Sequence, residues 1–435
     1  MTEKKDIKMD YGSPRWTGEL NDCTLPMTLD TYSNCAFGCV YCFSQYQRGV
    51  GGGANDYKQK KVRSVNPEKI KKIFEGEDSQ FKLFVQQRRP IQYGGLSDQF
   101  DGFEKKYGIT YEILKYLKSI NYPICFSTKS AWVFHDPKYV ELFTGQDNWN
   151  VKFSIITLDE EHARKIEVGV PTPQERLEAM EIYSKLNNGG ATLRLRPFIV
   201  GVSDRTYEDL IREAAKRGAT ALTTEFFCLE YRSVKTAKEH YKTISDCCGF
   251  DIVDFYRKHS SGNGYLRLNR KVKEPYIRRM QELCRELGMR FYVSDAHFKE
   301  CSDNACCCGL PPEWDYVRGH FGGALQIAKR KGEVRFSEIY PDMKHWKDFL
   351  AVNATGCQFC GGTTGMRATF YGMTMDEYLR YLWNTPKSGK SPYRLFEKVL
   401  IPDGKDENGD IIYKYNESVT FEKCRHETDV ELMEV

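Results

Sequence analysis

Three thiols in one short stretch are the residues of this chain best suited to chemistry. In Thr31-Tyr32-Ser33-Asn34-Cys35-Ala36-Phe37-Gly38-Cys39-Val40-Tyr41-Cys42 the cysteines follow a C-x3-C-x2-C spacing, and an aromatic, Phe43, comes next. Thiolates are soft ligands, and three on one loop can hold three irons of a cubane iron-sulfur cluster while the fourth iron stays open to another ligand. A zinc site favours two separated pairs of ligands, and a disulfide framework has no use for three cysteines.

The elements that must position such a loop are legible from hydrophobic rhythm. Short β-branched and aromatic runs alternate with longer amphipathic ones, the pattern of parallel strands joined by helices. Strands are expected at 27–32, 84–93, 124–128, 151–157, 192–200, 219–224 and, last, 289–294, and helices at 66–75, 110–119, 172–186 and 207–217; farther on, 375–383 reads as an aromatic-rich helix and 411–415 after Asn408-Gly409 as a hairpin. Thr172-Pro173 with Glu175 reads as a cap, a proline at the first helical position and an acid in the first turn. The fold class is therefore α/β, a partial (β/α)6 parallel barrel followed by a C-terminal α+β cysteine-rich extension. The expected divisions are 1–25 as a wrapping segment, 26–298 as the barrel and 299–435 as the extension. In such folds the site lies at the carboxyl ends of the strands. The polar residues at those ends are Gly94, Gly95 and Asp98, then Lys129, Ser154 and Arg196. They suit a zwitterionic amino acid bearing a sulfonium: an acceptor for its amine, and hydroxyls or cations for its carboxylate.

The cysteine triplet with its trailing aromatic resembles the signature of the radical S-adenosylmethionine (SAM) superfamily. A narrower likeness is carried by Ile166-Glu167-Val168-Gly169-Val170-Pro171-Thr172-Pro173-Gln174-Glu175-Arg176-Leu177-Glu178-Ala179-Met180 and by Arg196-Pro197-Phe198-Ile199-Val200-Gly201-Val202-Ser203-Asp204. Gly95-Leu96-Ser97-Asp98-Gln99-Phe100 with Glu104, Ser127-Thr128-Lys129-Ser130 with Asp136, and Ser154-Ile155-Ile156-Thr157-Leu158-Asp159 add to it. Together these are similar to the spore photoproduct lyase and DNA-repair-photolyase-like branch. The resemblance implies a 4Fe-4S cluster on Cys35, Cys39 and Cys42, with SAM on the open iron and Tyr41 among the cofactor-binding residues. It further implies reductive cleavage of the sulfonium to a deoxyadenosyl radical that takes a hydrogen atom from substrate, with flavodoxin or ferredoxin as a suitable reductant. The lyase itself uses a further cysteine as hydrogen donor. This chain has none between Cys42 and Cys125, which leaves Cys125 as the candidate donor and separates the chain from the lyase reaction.

A second cysteine group lies beyond the barrel, at Cys301, Cys306, Cys307 and Cys308 and then at Cys357 and Cys360. Cys301, Cys357 and Cys360, with Cys306 or one of its two neighbours as fourth, are expected to hold an auxiliary iron-sulfur cluster in preference to zinc. Successive side chains diverge, so three adjacent cysteines do not all serve one ion. His297 reads as structural, and the run Gly49-Val50-Gly51-Gly52-Gly53 as a lid or turn beside the cluster.

The formal net charge of +4 over 435 residues permits an anionic partner without demanding one. Basic clusters at Lys58 to Arg63, Arg88-Arg89, Arg267 to Lys273 and Lys329-Arg330-Lys331 could track a phosphate backbone. Mean hydropathy is −0.58 and no apolar run is long enough to span a bilayer. The charged beginning lacks the apolar stretch of a signal peptide, so a cytoplasmic protein is expected, and in that reducing compartment abundant cysteine reads as metal ligation. The reading is a radical SAM enzyme acting on a nucleic acid or nucleotide base. Its alternatives are radical modification of a peptide or small molecule, and a non-enzymatic zinc-containing nucleic-acid-binding protein.

Overall fold

Eight strands form one sheet in the order in which the chain supplies them: β1 (Arg15–Trp16), β2 (Met27–Leu29), β3 (Ile91–Tyr93), β4 (Ile124–Thr128), β5 (Trp149–Ser154), β6 (Ala191–Phe198), β7 (Ala219–Phe226) and β8 (Arg290–Val293). The computed structural model describes residues 7–17, 20–44, 58–77, 79, 81–186, 190–230, 237–261, 265–339, 375–396 and 398–417. β1 is antiparallel to β2, and every later pairing is parallel. Parallel neighbours need crossovers, and α1 (Pro67–Phe74), α2 (Ile109–Ser119), α3 (Pro137–Phe143), α4 (Pro173–Leu186), α5 (Tyr207–Lys216) and α6 (Arg270–Glu286) supply them. Among the described residues β8 does not pair back to β1, so the sheet is an open partial barrel, as the pattern predicts.

Strand alternation sorts the side chains. Phe126 of β4 and Trp149 and Phe153 of β5 pack outward against Phe134, Phe143 and Tyr183 in the helical layer. Their neighbours Cys125, Asn150, Lys152 and Ser154 face inward, and Lys152 Nζ reaches Gln92 of β3 at 2.6 Å. The apolar wall is thus outside and the polar lining inside, which is what a ligand-holding barrel requires.

The expected cap at the start of α4 is present: Thr172 Oγ1 accepts from Glu175 N at 3.2 Å, and Glu175 returns the bond to Thr172 N at 2.7 Å. The expected strand at 84–93 is corrected to β3 alone, because Lys82–Gln86 is a helical turn. Phe81, Phe84 and Val85 read as a strand by propensity, but their spacing of three and four places them on one helical face, where Phe81 and Phe84 meet Trp16. A small sheet of Cys228–Glu230, Ser260–Ser261 and Tyr265–Leu268 intervenes before α6 and was not expected.

Beyond β8, α7 (Phe321–Lys331) and the helix Met375–Trp383 accompany a three-stranded sheet of Glu333–Val334, Leu400–Lys405 and Ile411–Tyr415. The expected helix at Met375 and the hairpin at Asn408-Gly409 are both there. Among the described residues no helix is long and apolar enough to cross a membrane. The glycine run at 49–53, and Cys357 with Cys360, lie outside the described residues.

Candidate active site

The cysteine loop leaves the end of β2 and is fastened on three sides. Asp30, the first residue past β2, is fully buried, and its Oδ1 accepts from the backbone N–H groups of Gly95, Leu96 and Ser97 at 2.9, 2.8 and 3.1 Å. Arg15 of β1 neutralises the same carboxylate at 2.6 Å. One acid therefore shapes the glycine turn after β3. Gly94 holds φ +84°, a conformation that glycine adopts without strain. On the second side, Asp101 caps the helix Gly102–Tyr107 and takes the N–H of Ala36 at 2.5 Å. Burial lifts the Asp101 carboxyl to about 7 against the hydrogen bonds that oppose it.

The third side is a buried ion pair. Gly38–Cys39 and Glu167–Val168 form a two-stranded antiparallel ribbon, and Val40 N donates to Ile166 O at 2.9 Å. Glu167 then pairs with Arg176 at 2.7 Å, both side chains 1 % exposed. Arg176 also donates to Ser154 O at 2.6 Å, and the Tyr41 hydroxyl donates to Glu167. The loop is thereby joined to β5 through α4. A buried pair of this kind contributes little net stability when intact, but loss of one partner strands the other charge.

Cys35, Cys39 and Cys42 all line one cavity, together with Gly94, Gly95, Asp98, Lys129, Ser154 and Arg194. Lys60 braces the loop from behind by donating to Cys35 O and Phe37 O at 2.9 and 2.8 Å. The donor set, three thiols on one rim facing a glycine turn, fits a 4Fe-4S cluster with one iron open. Among the described residues no group of three or more His, Cys, Asp or Glu side chains is placed to hold a single metal ion. Cys35, Cys39 and Cys42 would hold such a cluster, which would supply the electron for reductive cleavage of a SAM sulfonium. The chain's own residues bind, orient and shield.

Most sequence-predicted residues meet at this cavity, though not all in the expected manner. Tyr41, Gly94, Gly95, Asp98, Lys129 and Ser154 line it. The Asp98 carboxylate accepts from Phe100 N at 3.0 Å, Thr128 Oγ1 at 2.9 Å and Lys129 N at 2.6 Å, so it already ties the β3 turn to the end of β4. Burial still raises its pKa. Burial works against the Lys129 charge, but Cys39 and Glu167 outweigh it and raise the pKa. Arg196 is not among the lining residues. It pairs with Glu225 and donates to Ser294 Oγ at 3.1 Å, while Arg194, two residues earlier on the same face, lines the cavity and donates to Ser154 Oγ at 3.3 Å. Burial and the neighbouring Arg196 bring Arg194 down to about 10.

Sequence reading missed Asp30 and Arg194 as site residues, and it quoted Glu167 and Arg176 only as part of a likeness. The usable signals were a lone acid at a strand end and the alternation of Arg194 with Arg196.

The basic clusters are largely turned to structure. Arg88 and Arg89 precede β3, at the opposite end of the strands from the cavity, and bind Ile120 O and Asp315. Arg270 and Lys273 form buried pairs with Glu300 at 2.7 Å and Asp295 at 2.9 Å. Lys329 donates to Glu300 O and Lys331 pairs with Glu338.

The second cysteine group is divided. Cys301 accepts from Arg278 at 3.6 Å, whereas Cys306 accepts from Thr24 Oγ1 at 3.5 Å and packs with Cys125, Leu310 and Tyr316. Cys125, the candidate hydrogen donor, is fully buried near the amino end of β4 and does not line the cavity.

Comparison with known proteins agrees with this geometry. Residues 29–214 match the family model of the radical SAM superfamily. No curated protein matches the sequence. Among solved structures, a cysteine-to-serine variant of spore photoproduct lyase is similar at 16% identity and TM-score 0.47, over 66% of this chain and 80% of that one. A spore photoproduct lyase variant with bound AdoMet and dinucleoside spore photoproduct gives 18%, 0.45, 64% and 80%. Streptococcus suis SuiB bound to S-adenosylmethionine gives 13%, 0.35, 52% and 49%. Likenesses of that degree assign no substrate. The matched span begins at the end of β2, contains the three thiols and closes on α5, and this part of the chain is a radical SAM domain.

Proposed function

We propose that this enzyme directs its deoxyadenosyl radical at a nucleic acid or a nucleotide base. The observation that carries the reading is the makeup of the cavity. Lys129 and Arg194 form no ion pair there with a carboxylate of the described residues, and Phe43 stands at the same cavity 42% exposed beside Tyr41. Cations with an open aromatic face suit an anionic ligand carrying a planar base, the first holding phosphate and the second stacking. The sequence likeness to the DNA-repair branch points the same way. In this reading the enzyme works in the cytoplasm, with flavodoxin or ferredoxin as its electron donor.

Because four clusters of basic residues were expected to help and most are occupied elsewhere, the reading favours contact near the cavity over a long electrostatic track. Binding of single-stranded and duplex oligonucleotides across a salt series tests it. Affinity that falls with salt over a small number of phosphates supports the reading. Absent or salt-independent binding, with turnover of a peptide or small molecule, would replace it.

A further inference from the structure

The opposite end of the barrel carries a second thiol group that the radical chemistry does not use. Cys125 and Asn150 are each the second residue of their strands, and Thr192 is the second of β6, so their inward side chains form the barrel floor. The segment after β8 folds into that floor. Cys308 O accepts from Asn150 Nδ2 at 3.3 Å and from the Cys125 thiol at 3.7 Å, and Leu310 O accepts from Tyr292 at 3.1 Å.

The sulfurs there are crowded. Cys125 and Cys306 share one buried cluster, and Cys308 packs against it. Donors point at sulfur: Cys308 N at Cys306 at 3.2 Å, Thr24 Oγ1 at Cys306 at 3.5 Å and Asn150 Nδ2 at Cys125 at 3.5 Å. The buried Lys152 follows Asn150 on the inward face of β5 and donates to Gln92 Oε1 at 2.6 Å, and among the described residues it has no carboxylate partner. A core that needed only small apolar volume would not gather four thiols, three donors and an ammonium.

We propose that Cys125 and Cys308 are a reversible dithiol–disulfide pair, oxidised by a low-molecular-weight disulfide such as glutathione disulfide, that ties the segment after β8 to the barrel floor. Exposure sets the order of events, since Cys308 is partly exposed and Cys125 is fully buried. The Cys308 thiolate attacks one glutathione sulfur and expels a glutathione thiolate, leaving a mixed disulfide. Cys125, as thiolate, then attacks the Cys308 sulfur and expels the second glutathione. Two protein thiols are oxidised and one small disulfide is reduced, and the two protons leave on the two glutathione thiols. Cys307 is a poor alternative partner for Cys308, because adjacent α-carbons about 3.8 Å apart fall short of ordinary disulfide geometry.

The test is peptide mapping of the full chain under glutathione buffers of graded ratio, quenched with an alkylating reagent and digested without reduction. The pair predicts that a peptide joining Cys125 to Cys308 becomes the dominant form in oxidised buffer and disappears after dithiothreitol. Cys125→Ser should halt the sequence at Cys308 bound to glutathione, and Cys308→Ser should leave Cys125 alkylatable throughout after unfolding in the reagent. Repeating the map in a variant with Cys35, Cys39 and Cys42 all replaced by alanine separates the floor from oxidation of cluster ligands. Cys125 free in every buffer, Cys308 joined only to Cys306 or Cys307, or both thiols held by a metal that chelator releases, would each overturn the proposal.

Discussion

At the rim, Cys35, Cys39 and Cys42 sit on a single loop that backbone amides, an aspartate and a buried ion pair hold open over a cavity. At the floor, Cys125 comes from a strand, and Cys306, Cys307 and Cys308 come from a segment about 180 residues later that is pressed against it. The rim spends its hydrogen bonds on the backbone around the thiols, through Asp30, Asp101 and Lys60. The floor directs N–H and O–H groups at the sulfurs themselves. A loop whose main chain is fixed and whose thiols face a cavity is prepared for a guest that brings its own charge. Thiols whose donors and neighbouring ammonium already come from the protein are prepared to react with one another. One residue type thus serves two kinds of chemistry at the two ends of the same strands.

The largest expected effect falls at the rim. Arg176→Met leaves Glu167 charged and unpaired in the interior behind Cys39, which should cost about 3–5 kcal/mol and lower the iron retained per chain after anaerobic reconstitution. If the variant unfolds at the wild-type denaturant midpoint and keeps its iron, the ion pair does not fasten the loop. At the floor, Gly309 holds φ +81°, and a Cβ there would lie 2.5 Å from Thr192 Oγ1. Gly309→Ala should therefore cost about 1–3 kcal/mol through overpacking and strain, with iron content unchanged. Loss of iron in that variant would break the division between the two ends.

A smaller effect concerns the extension. His320 caps α7: its Nδ1 accepts from Gly323 N at 3.2 Å and its other nitrogen meets Val317 O at 3.1 Å. Burial, with Lys299 nearby, pushes it down to about 3. The unfolded chain takes up this proton near its ordinary value of 6.5 and the folded chain does not, so stability is complete above that pH and falls as pH drops toward 3. By pH 5.5 the loss should be about 1.4 kcal/mol. His320→Asn keeps a capping acceptor and should flatten this part of the profile in a denaturant titration; an unchanged slope would assign it to other groups.

Much of the barrel was legible because the hydrophobic period switches cleanly between strand and helix. β4 and the helix at Met375 fall where expected, and the capping pair Thr172 and Glu175 forms as its spacing predicts. The stretch at 84–93 was misjudged because Phe84 and Val85 satisfy a helical face and a strand equally well until Trp16, some 70 residues earlier, decides between them. At the site, the thiols and the glycine turn could be read from local spacing alone. Asp30 with Gly95, Glu167 with Arg176, and Cys125 with Cys308 could not, since each depends on which residues the sheet brings together. Arg194 and Arg196 share a face, and only the presence of Glu225 shows which of them is occupied.

The central claim, that Cys35, Cys39 and Cys42 hold the cluster with which this enzyme cleaves SAM, is tested most directly by anaerobic reconstitution followed by reduction in the presence of SAM. The account predicts that the wild-type chain forms deoxyadenosine, and that Cys39→Ala forms none while its fold, read by circular dichroism, is retained. Deoxyadenosine from the folded Cys39→Ala variant, or a reconstituted wild-type chain that holds zinc and no iron, would contradict it.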